Sequence, residues 1–199
     1  MDAPKNMRVT PVTLSGRVVR LEPLGLEHVP GLVRVGLDPE LWRWIPTQVS
    51  NAEEMLAYVQ AALGEQKNGV SLPFAIVARA TGEAIGCTRY MNIVPAHRRL
   101  EIGSTWLTAS AQRSGANTEA KLLLLTHAFE VMGANRVELK TDALNTRSRL
   151  AITRIGATEE GLFRKHVVCA SGRVRDTVYF SIIDTEWPAV KARLTTMLR

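Results

Sequence analysis

Along residues 16–23, Gly-Arg-Val-Val-Arg-Leu-Glu-Pro, apolar and charged side chains alternate with the period of a half-buried strand, which the proline stops. Residues 26–37 then change to a helical period. Val29, Leu32, Val33 and Gly36 fall on one side, and Pro30 sits in the first turns, where a missing N–H is tolerated. A loop with two tryptophans, Leu41-Trp42-Arg43-Trp44-Ile45-Pro46, breaks this helix. Ser50 or Asn51 caps the next one, with Glu53 and Glu54 in its first turn and Met55, Tyr58, Val59, Ala62 and Leu63 on one stripe.

Two strands follow, residues 72–78 and 84–93, joined by a Thr-Gly-Glu turn that makes them an antiparallel hairpin. A basic loop, 95–99, leads to a third strand, 100–108. A long helix over 120–132 is apolar on nearly every side, leaving Glu119, Thr126 and Glu130 for solvent and Gly133 as its C-cap. His127 on this helix reads as a core histidine rather than a catalyst. The strand at 136–141 comes next, and strand–helix–strand implies a parallel neighbour pair with a right-handed crossover. A helix starting at Asn145 is closed by Gly156. Strands 157–170 and 173–183 turn at Ser171-Gly172, with Val178, Phe180 and Ile182 on one side and Thr177, Tyr179 and Ser181 on the other. A short helix over 186–198 ends the chain. Residues 1–13 show no period and are expected to form a flexible arm, with 14–199 a single domain.

Composition narrows the class. The 199 residues, 46% hydrophobic and 22% charged, suit one globular domain rather than a disordered chain. No apolar run is long enough to span a bilayer, and the first residues lack an apolar core of the secretory kind, so the cytoplasm is the expected location. Cys87 and Cys169 lie in apolar strand contexts and read as small buried hydrophobes. No Cys/His pair has metal spacing, so no metal is expected. The net charge of +6 is spread over scattered basic groups without interleaved aromatics, so a polyanionic cofactor is a simpler partner than nucleic acid.

The chemistry concentrates at Gln112-Arg113-Ser114-Gly115-Ala116-Asn117-Thr118-Glu119, between a strand and a helix. Such a turn leaves backbone N–H groups without intrahelical partners, with the helix dipole behind them, which makes an anion cradle for a phosphate or pyrophosphate. Gly115 lets the backbone approach a ligand, and Asn117 is a residue type that tolerates a left-handed conformation. The alternative is an ordinary N-cap at Ser114. Neither the dinucleotide fingerprint nor the nucleotide-triphosphate loop fits this octet.

The octet resembles the Gln/Arg-x-x-Gly-x-Gly/Ala signature of the GCN5-related N-acetyltransferases, with Asn117 at the third signature position. Thr118-Glu119-Ala120 is similar to the branch that acetylates N-termini of ribosomal proteins, the RimJ/RimL-like enzymes. A second block, Asn145-Thr146-Arg147-Ser148 through Gly156, resembles the family's Asn-x-x-Ser segment beside the acyl-donor thiol. The likeness covers most of residues 15–184. It implies an α/β fold: a mixed, mostly antiparallel twisted sheet of six to seven strands, opened between two central parallel strands, with helices on both faces. It also implies acetyl-coenzyme A as cofactor. The pyrophosphate would lie on the amides of Arg113, Ser114, Gly115, Ala116, Asn117 and Thr118, after Gln112. The pantetheine arm would pair with the strand edge at Trp106, Leu107 and Thr108, and Asn145 would hold it from the other side.

By the same resemblance an amine is acetylated by direct attack. Glu101 is the candidate base, since a carboxylate withdrawn from water binds protons more tightly; the alternative is an ion pair with Arg98 or Arg99. The family's tyrosine acid has no counterpart between Asn145 and Gly156. Ser148 stands there instead, suited to hydrogen-bonding the departing sulfur, or else to capping the helix. Trp42, Trp44 and Tyr90 are candidates for the acceptor pocket, each with core packing as the alternative. The expected acceptor is a protein N-terminus or a small-molecule amine, and a homodimer would be an ordinary assembly. A non-catalytic acyl-coenzyme A-binding module, associated with the ribosome, is the competing reading.

Overall fold

The computed structural model describes residues 7–199. Eight strands form one sheet: β1 (Leu14–Ser15), β2 (Val19–Pro23), β3 (Leu72–Ala78), β4 (Ala84–Val94), β5 (Arg99–Leu107), β6 (Arg136–Asp142), β7 (Thr158–Val168) and β8 (Val174–Ile183). Their spatial order is β1-β2-β3-β4-β5-β6-β8-β7. Every pair is antiparallel except β5 with β6, the parallel pair that the crossover helix implied. Eight strands exceed the expected six to seven because two-residue β1 pairs with β2 through a turn too short to show a period.

Six α-helices accompany the sheet: α1 (Val29–Gly36), α2 (Pro39–Trp42), α3 (Ala52–Lys67), α4 (Ala116–Thr126), α5 (Thr146–Arg154) and α6 (Trp187–Met197). Alternation along the strands sends side chains to two cores. Phe74, Ile76, Tyr90, Leu100, Ile102, Val137 and Phe180 pack with Leu124 and Leu125 of α4 and Val190 and Leu194 of α6. Ala75, Val77, Cys87 and Trp106 point the other way, beneath Leu32 of α1 and Met55 and Val59 of α3. Each large apolar side chain removed from water contributes roughly 1.5–3 kcal/mol.

Local chemistry sets the helix starts. Asn51 Oδ1 accepts the Glu54 N–H at 2.9 Å, and the Glu54 carboxylate accepts the Ser50 N–H at 2.7 Å, so two free amides at the head of α3 are satisfied. At the other end of the sequence's apolar helix, α4 runs into a wider turn over His127–Val131 before Gly133 stops it at φ +71°.

Two expectations from periodicity fail on packing. Glu119 is buried rather than solvated: its carboxylate accepts the N–H groups of Arg17, Val18 and Val19 at 2.8, 2.7 and 2.7 Å. It thereby ties α4 to the β1–β2 turn, whose amides would otherwise lack partners. The expected flexible arm is also anchored in part. Met7 is buried in the larger core with Val9 and Val12 packed against it, while the arm's residues 1–6 lie outside the described residues.

Candidate active site

Strands β5 and β6 pair only at Arg99–Arg136, Leu100–Val137 and Glu101–Glu138. Past Glu101 they separate, while β5 stays bonded to β4 as far as Leu107. The result is a wedge between two facing strand edges, β5 beyond Glu101 and β6 beyond Glu138, at whose apex stands Glu101. Ser104, at φ +46°, bulges β5 within the free stretch. α4 and α5 approach each other over the wedge. Arg154 of α5 donates to Thr118 Oγ1 of α4 at 3.3 Å, and Arg147 donates to Gln112 Oε1 at 2.5 Å.

The turn before α4 is shaped by two left-handed residues, Arg113 at φ +63° and Gly115 at φ +86°. Asn117, expected as a left-handed position, is helical instead, because Gly115 already makes the turn. The first helical bond runs from Glu119 N–H to Gly115 O at 2.9 Å, so the amides of Ala116, Asn117 and Thr118 precede any intrahelical acceptor. Ser114 Oγ donates to Ala111 O at 2.6 Å, and its contact with the Ala116 N–H is long at 3.4 Å. Gln112 holds the turn to the strand end, its Nε2 donating to Leu107 O at 2.9 Å. Asn117 Oδ1 is buried without a hydrogen-bond partner. An amide-lined, Arg-flanked helix start, an orphaned amide oxygen and an unpaired strand edge together fit an extended ligand with a diphosphate at one end and amides along its arm.

Of the three residues expected at the strand edge, two turn their side chains away and the third has its N–H taken. Trp106 and Leu107 bury their side chains in opposite cores, and the Thr108 N–H is already bonded to Ile85 O at 2.8 Å. On the other wall, Asn145 caps α5: its Oδ1 accepts the Ser148 N–H at 3.0 Å, leaving the Asn145 amide nitrogen and the Ser148 hydroxyl for other partners.

Glu101 is 1% exposed, and its carboxylate is held by Lys140 Nζ at 3.0 Å and Asn92 Nδ2 at 2.7 Å. The alternative, an ion pair with Arg98 or Arg99, does not form; Arg99 pairs instead with Glu138 at 3.2 Å. Gly103 makes room for the carboxylate; a Cβ there would lie 2.8 Å from Glu101 Oε1 and 2.6 Å from Met91 Sδ. A cavity of about 510 Å³ opens on this face, lined by Val70, Asn92, Ile93, Val94, Arg99, Glu138 and Tyr179. Tyr179 in turn lies under Lys140, 5.8 Å from Nζ to ring centre.

Of the three residues expected in an acceptor pocket, Trp44 is half-buried and the other two are core residues. Trp44 is flanked by Arg43 and Arg173 at 5.0 and 5.5 Å, and its carbonyl accepts from Arg175 at 3.3 Å. Trp42 is a core residue: 2% exposed, its indole N–H on Gly36 O at 2.7 Å, its ring against Tyr58 and Trp106. Tyr90 is wholly buried beneath α4, its hydroxyl donating to Leu124 O at 2.6 Å and its ring 6.5 Å from His127. For both, core packing is the alternative that holds; an aromatic in a short segment carries no mark of which face it takes.

Three polar residues near the apex escaped the sequence reading. Asn92 sits at φ +49° beside a register shift of β4, and Lys140 belongs to a strand whose alternation looked ordinary. Lys121 interrupts the apolar run of α4, which was the one available signal. Among the described residues no cluster of His, Cys, Asp and Glu has metal geometry. Cys87 and Cys169 are free and buried, and burial pushes the Cys87 thiol up to about 12. No helix of the described residues is long and apolar enough to cross a membrane.

The chain matches the family model described as the acetyltransferase (GNAT) domain over residues 19–158. It is 28% identical over 179 residues, 88% of this chain and 98% of the relative, to the uncharacterized N-acetyltransferase p20 of Bacillus licheniformis. A crystal structure of a GCN5-related N-acetyltransferase from Brucella melitensis superposes with a TM-score of 0.88 at 34% identity, over 96% of this chain and 87% of that one. Mycobacterium smegmatis RimJ in complex with CoA-disulfide superposes at 0.82 with 26% identity, over 95% and 96% of the two chains.

Proposed function

The chain belongs to the GNAT acetyltransferase family, and from that premise we propose that it transfers the acetyl group of acetyl-coenzyme A directly to a primary amine, a protein N-terminus or a small-molecule amine, in a ternary complex. The observation that carries this reading is the wedge between β5 and β6, with the amide cradle at its mouth and a buried carboxylate at its apex.

In this reading the amides of Ala116, Asn117 and Thr118, with Arg113 and Arg147 beside them, hold the diphosphate. The free edge of β5 from Ile102 to Leu107 pairs with the amides of the arm, and Asn145 bounds it opposite. An N–H at the Ser104 bulge polarises the acyl carbonyl. Bound acetyl-coenzyme A supplies an activated acyl group whose C–S bond breaks as the C–N bond forms, the electron pair leaving with sulfur. Glu101 takes the proton of the attacking nitrogen, either directly or through one water in the adjoining cavity. Ser148 hydrogen-bonds the sulfur. Trp44 and the cavity lined by Asn92, Glu138 and Tyr179 receive the acceptor.

The test is purified protein with acetyl-coenzyme A and a panel of amines and N-terminal peptides, following free thiol and the mass of the amine. Amine-dependent thiol release with an acetylated product supports the reading. Calorimetric binding of the cofactor with no turnover across the panel would leave an acyl-coenzyme A-binding module, and no binding would remove the reading altogether.

A further inference from the structure

Lys121 is the second residue of an otherwise apolar stretch of α4, Ala120 to Leu125, and is 7% exposed. Its Nζ donates to Thr105 Oγ1 at 3.0 Å, and Thr105 shares a 2.8 Å hydrogen bond with Thr88. A buried ammonium with only a hydroxyl partner is an expensive arrangement, which a well-packed methionine would avoid.

Its position is informative. Thr118 and Lys121 are three residues apart on one face of α4, and Thr118 is the residue bonded to Arg154 of α5. Thr105 belongs to the part of β5 beyond Glu101, where the strand has no partner on its β6 side. The amine therefore sits where α4, α5 and the free strand edge converge, on the side of the wedge opposite Lys140. Glu119 projects from the other face of α4, toward the β1–β2 turn. The charge that acts on Lys121 is that of Glu101 from β5, while Arg154 of α5 bonds Thr118 one turn nearer the cradle. Burial brings the amine down to about 7, with the Glu101 charge opposing part of that fall. At neutral pH such a group both holds and releases a proton readily.

Acetyl transfer leaves a basic sulfur, yet α5 has no tyrosine and Ser148 offers only a weakly acidic hydroxyl. We propose that Lys121 is the proton donor to the departing sulfur, a role that rests on the acetyl-transfer reading above. As the C–N bond forms, the nitrogen's proton passes to Glu101. As the C–S bond breaks, the Lys121 N–H bond breaks with it and an S–H bond forms. The neutral lysine and the protonated carboxyl then re-equilibrate with solvent, so protons balance over the cycle.

The first measurement is made on bound coenzyme A itself, titrating its thiol by ultraviolet difference absorbance in wild type and Lys121→Met. Sharing a proton with Lys121 raises the thiolate fraction near neutral pH about tenfold or more over the free coenzyme, since a nearby cation favours the thiolate. In K121M the bound thiol titrates like the free one. The second measurement is kcat against pH: wild type loses rate as pH rises through the lysine's titration, while K121M falls about 100-fold or more in kcat, with KM for acetyl-coenzyme A little changed and that limb gone. Thr105→Val, which keeps the amine and removes its hydroxyl partner, retains the thiolate signal. Superimposed thiol titrations of wild type and K121M, with the coenzyme bound in both, would overturn the role and leave the acetyl-transfer reading standing. Should K121M not fold, wild type against free coenzyme decides alone: an unshifted bound thiol refutes the proposal. Failure of wild type to bind the coenzyme would instead refute the reading beneath it.

Discussion

Two lysines approach β5 from opposite sides of the sheet, and they are held in contrasting ways. Lys140 meets the Glu101 carboxylate at 3.0 Å and lies over the Tyr179 ring, with a fifth of its side chain still in water (22%). Lys121 meets a threonine hydroxyl at 3.0 Å and is almost wholly enclosed by α4 and the sheet. Lys140 thus completes a local charge balance, whereas Lys121 has a low-dielectric site that disfavours its charge and little to oppose that preference. What a buried amine touches, rather than burial alone, decides whether it serves as a fixed counter-ion or as a group that exchanges protons.

The largest effect is expected at Glu101. Glu101→Gln preserves shape and the Asn92 contact but leaves Lys140 facing a neutral amide. Amine-dependent kcat should fall about 10²–10⁴-fold, with cofactor affinity by calorimetry within a few-fold of wild type. Full activity in E101Q would move the base elsewhere and make the Lys140 pair purely structural.

Stability sharpens the other half. The folded-state Lys121 titrates near 7, below its ordinary 10.5, so between those two pH values the unfolded chain binds more protons than the folded one. Stability from this group therefore rises with pH across that window, and below about 7 its full penalty applies. Lys121→Met should gain about 2–4 kcal/mol in urea unfolding at and below neutral pH, shrinking toward zero above about 10.5. A gain independent of pH would mean that packing, not charge, separates the two proteins.

Smaller effects come from the wedge's mouth. Gly115→Ala forces a side chain into φ +86° and should cost about 1 kcal/mol of stability, together with a measurable loss of cofactor affinity. Unchanged calorimetric binding in G115A would detach the cradle from the cofactor. Smallest is Ser148→Ala. If the sulfur's proton comes from Lys121, the hydroxyl supplies one hydrogen bond and its loss lowers kcat by about tenfold or less. A loss comparable to that of K121M would reverse the ranking of the two groups.

Much of this architecture was legible in one dimension. The turn at Gly82, the hairpin at Gly172 and the parallel β5–β6 pair followed from turn chemistry and the strand–helix–strand order. The cradle was legible because a strand, a glycine turn and an apolar helix occur in immediate succession. Less local facts were hidden. Glu119 looked like a solvent residue at its place in the helical period, and is buried because three loop amides a hundred residues away need an acceptor. Tyr90 and Trp42 suit a ligand or a core equally as far as their neighbours in sequence go, and each is held in a core by a backbone carbonyl.

Periodicity and turn residues act over a few positions, so they dictate each strand, helix and cap, and with the two resembling blocks they reach the family and the amide-lined turn before α4. Which side chains share the apex is a matter of register and splay. Glu101 meets Lys140 only because β5 and β6 run parallel for three pairs before parting, and Lys121 becomes an enclosed amine only because α4 lies across the free end of β5. Those contacts span long stretches of chain, and the free energy that selects them comes from burying whole faces together, which no local run of residues encodes.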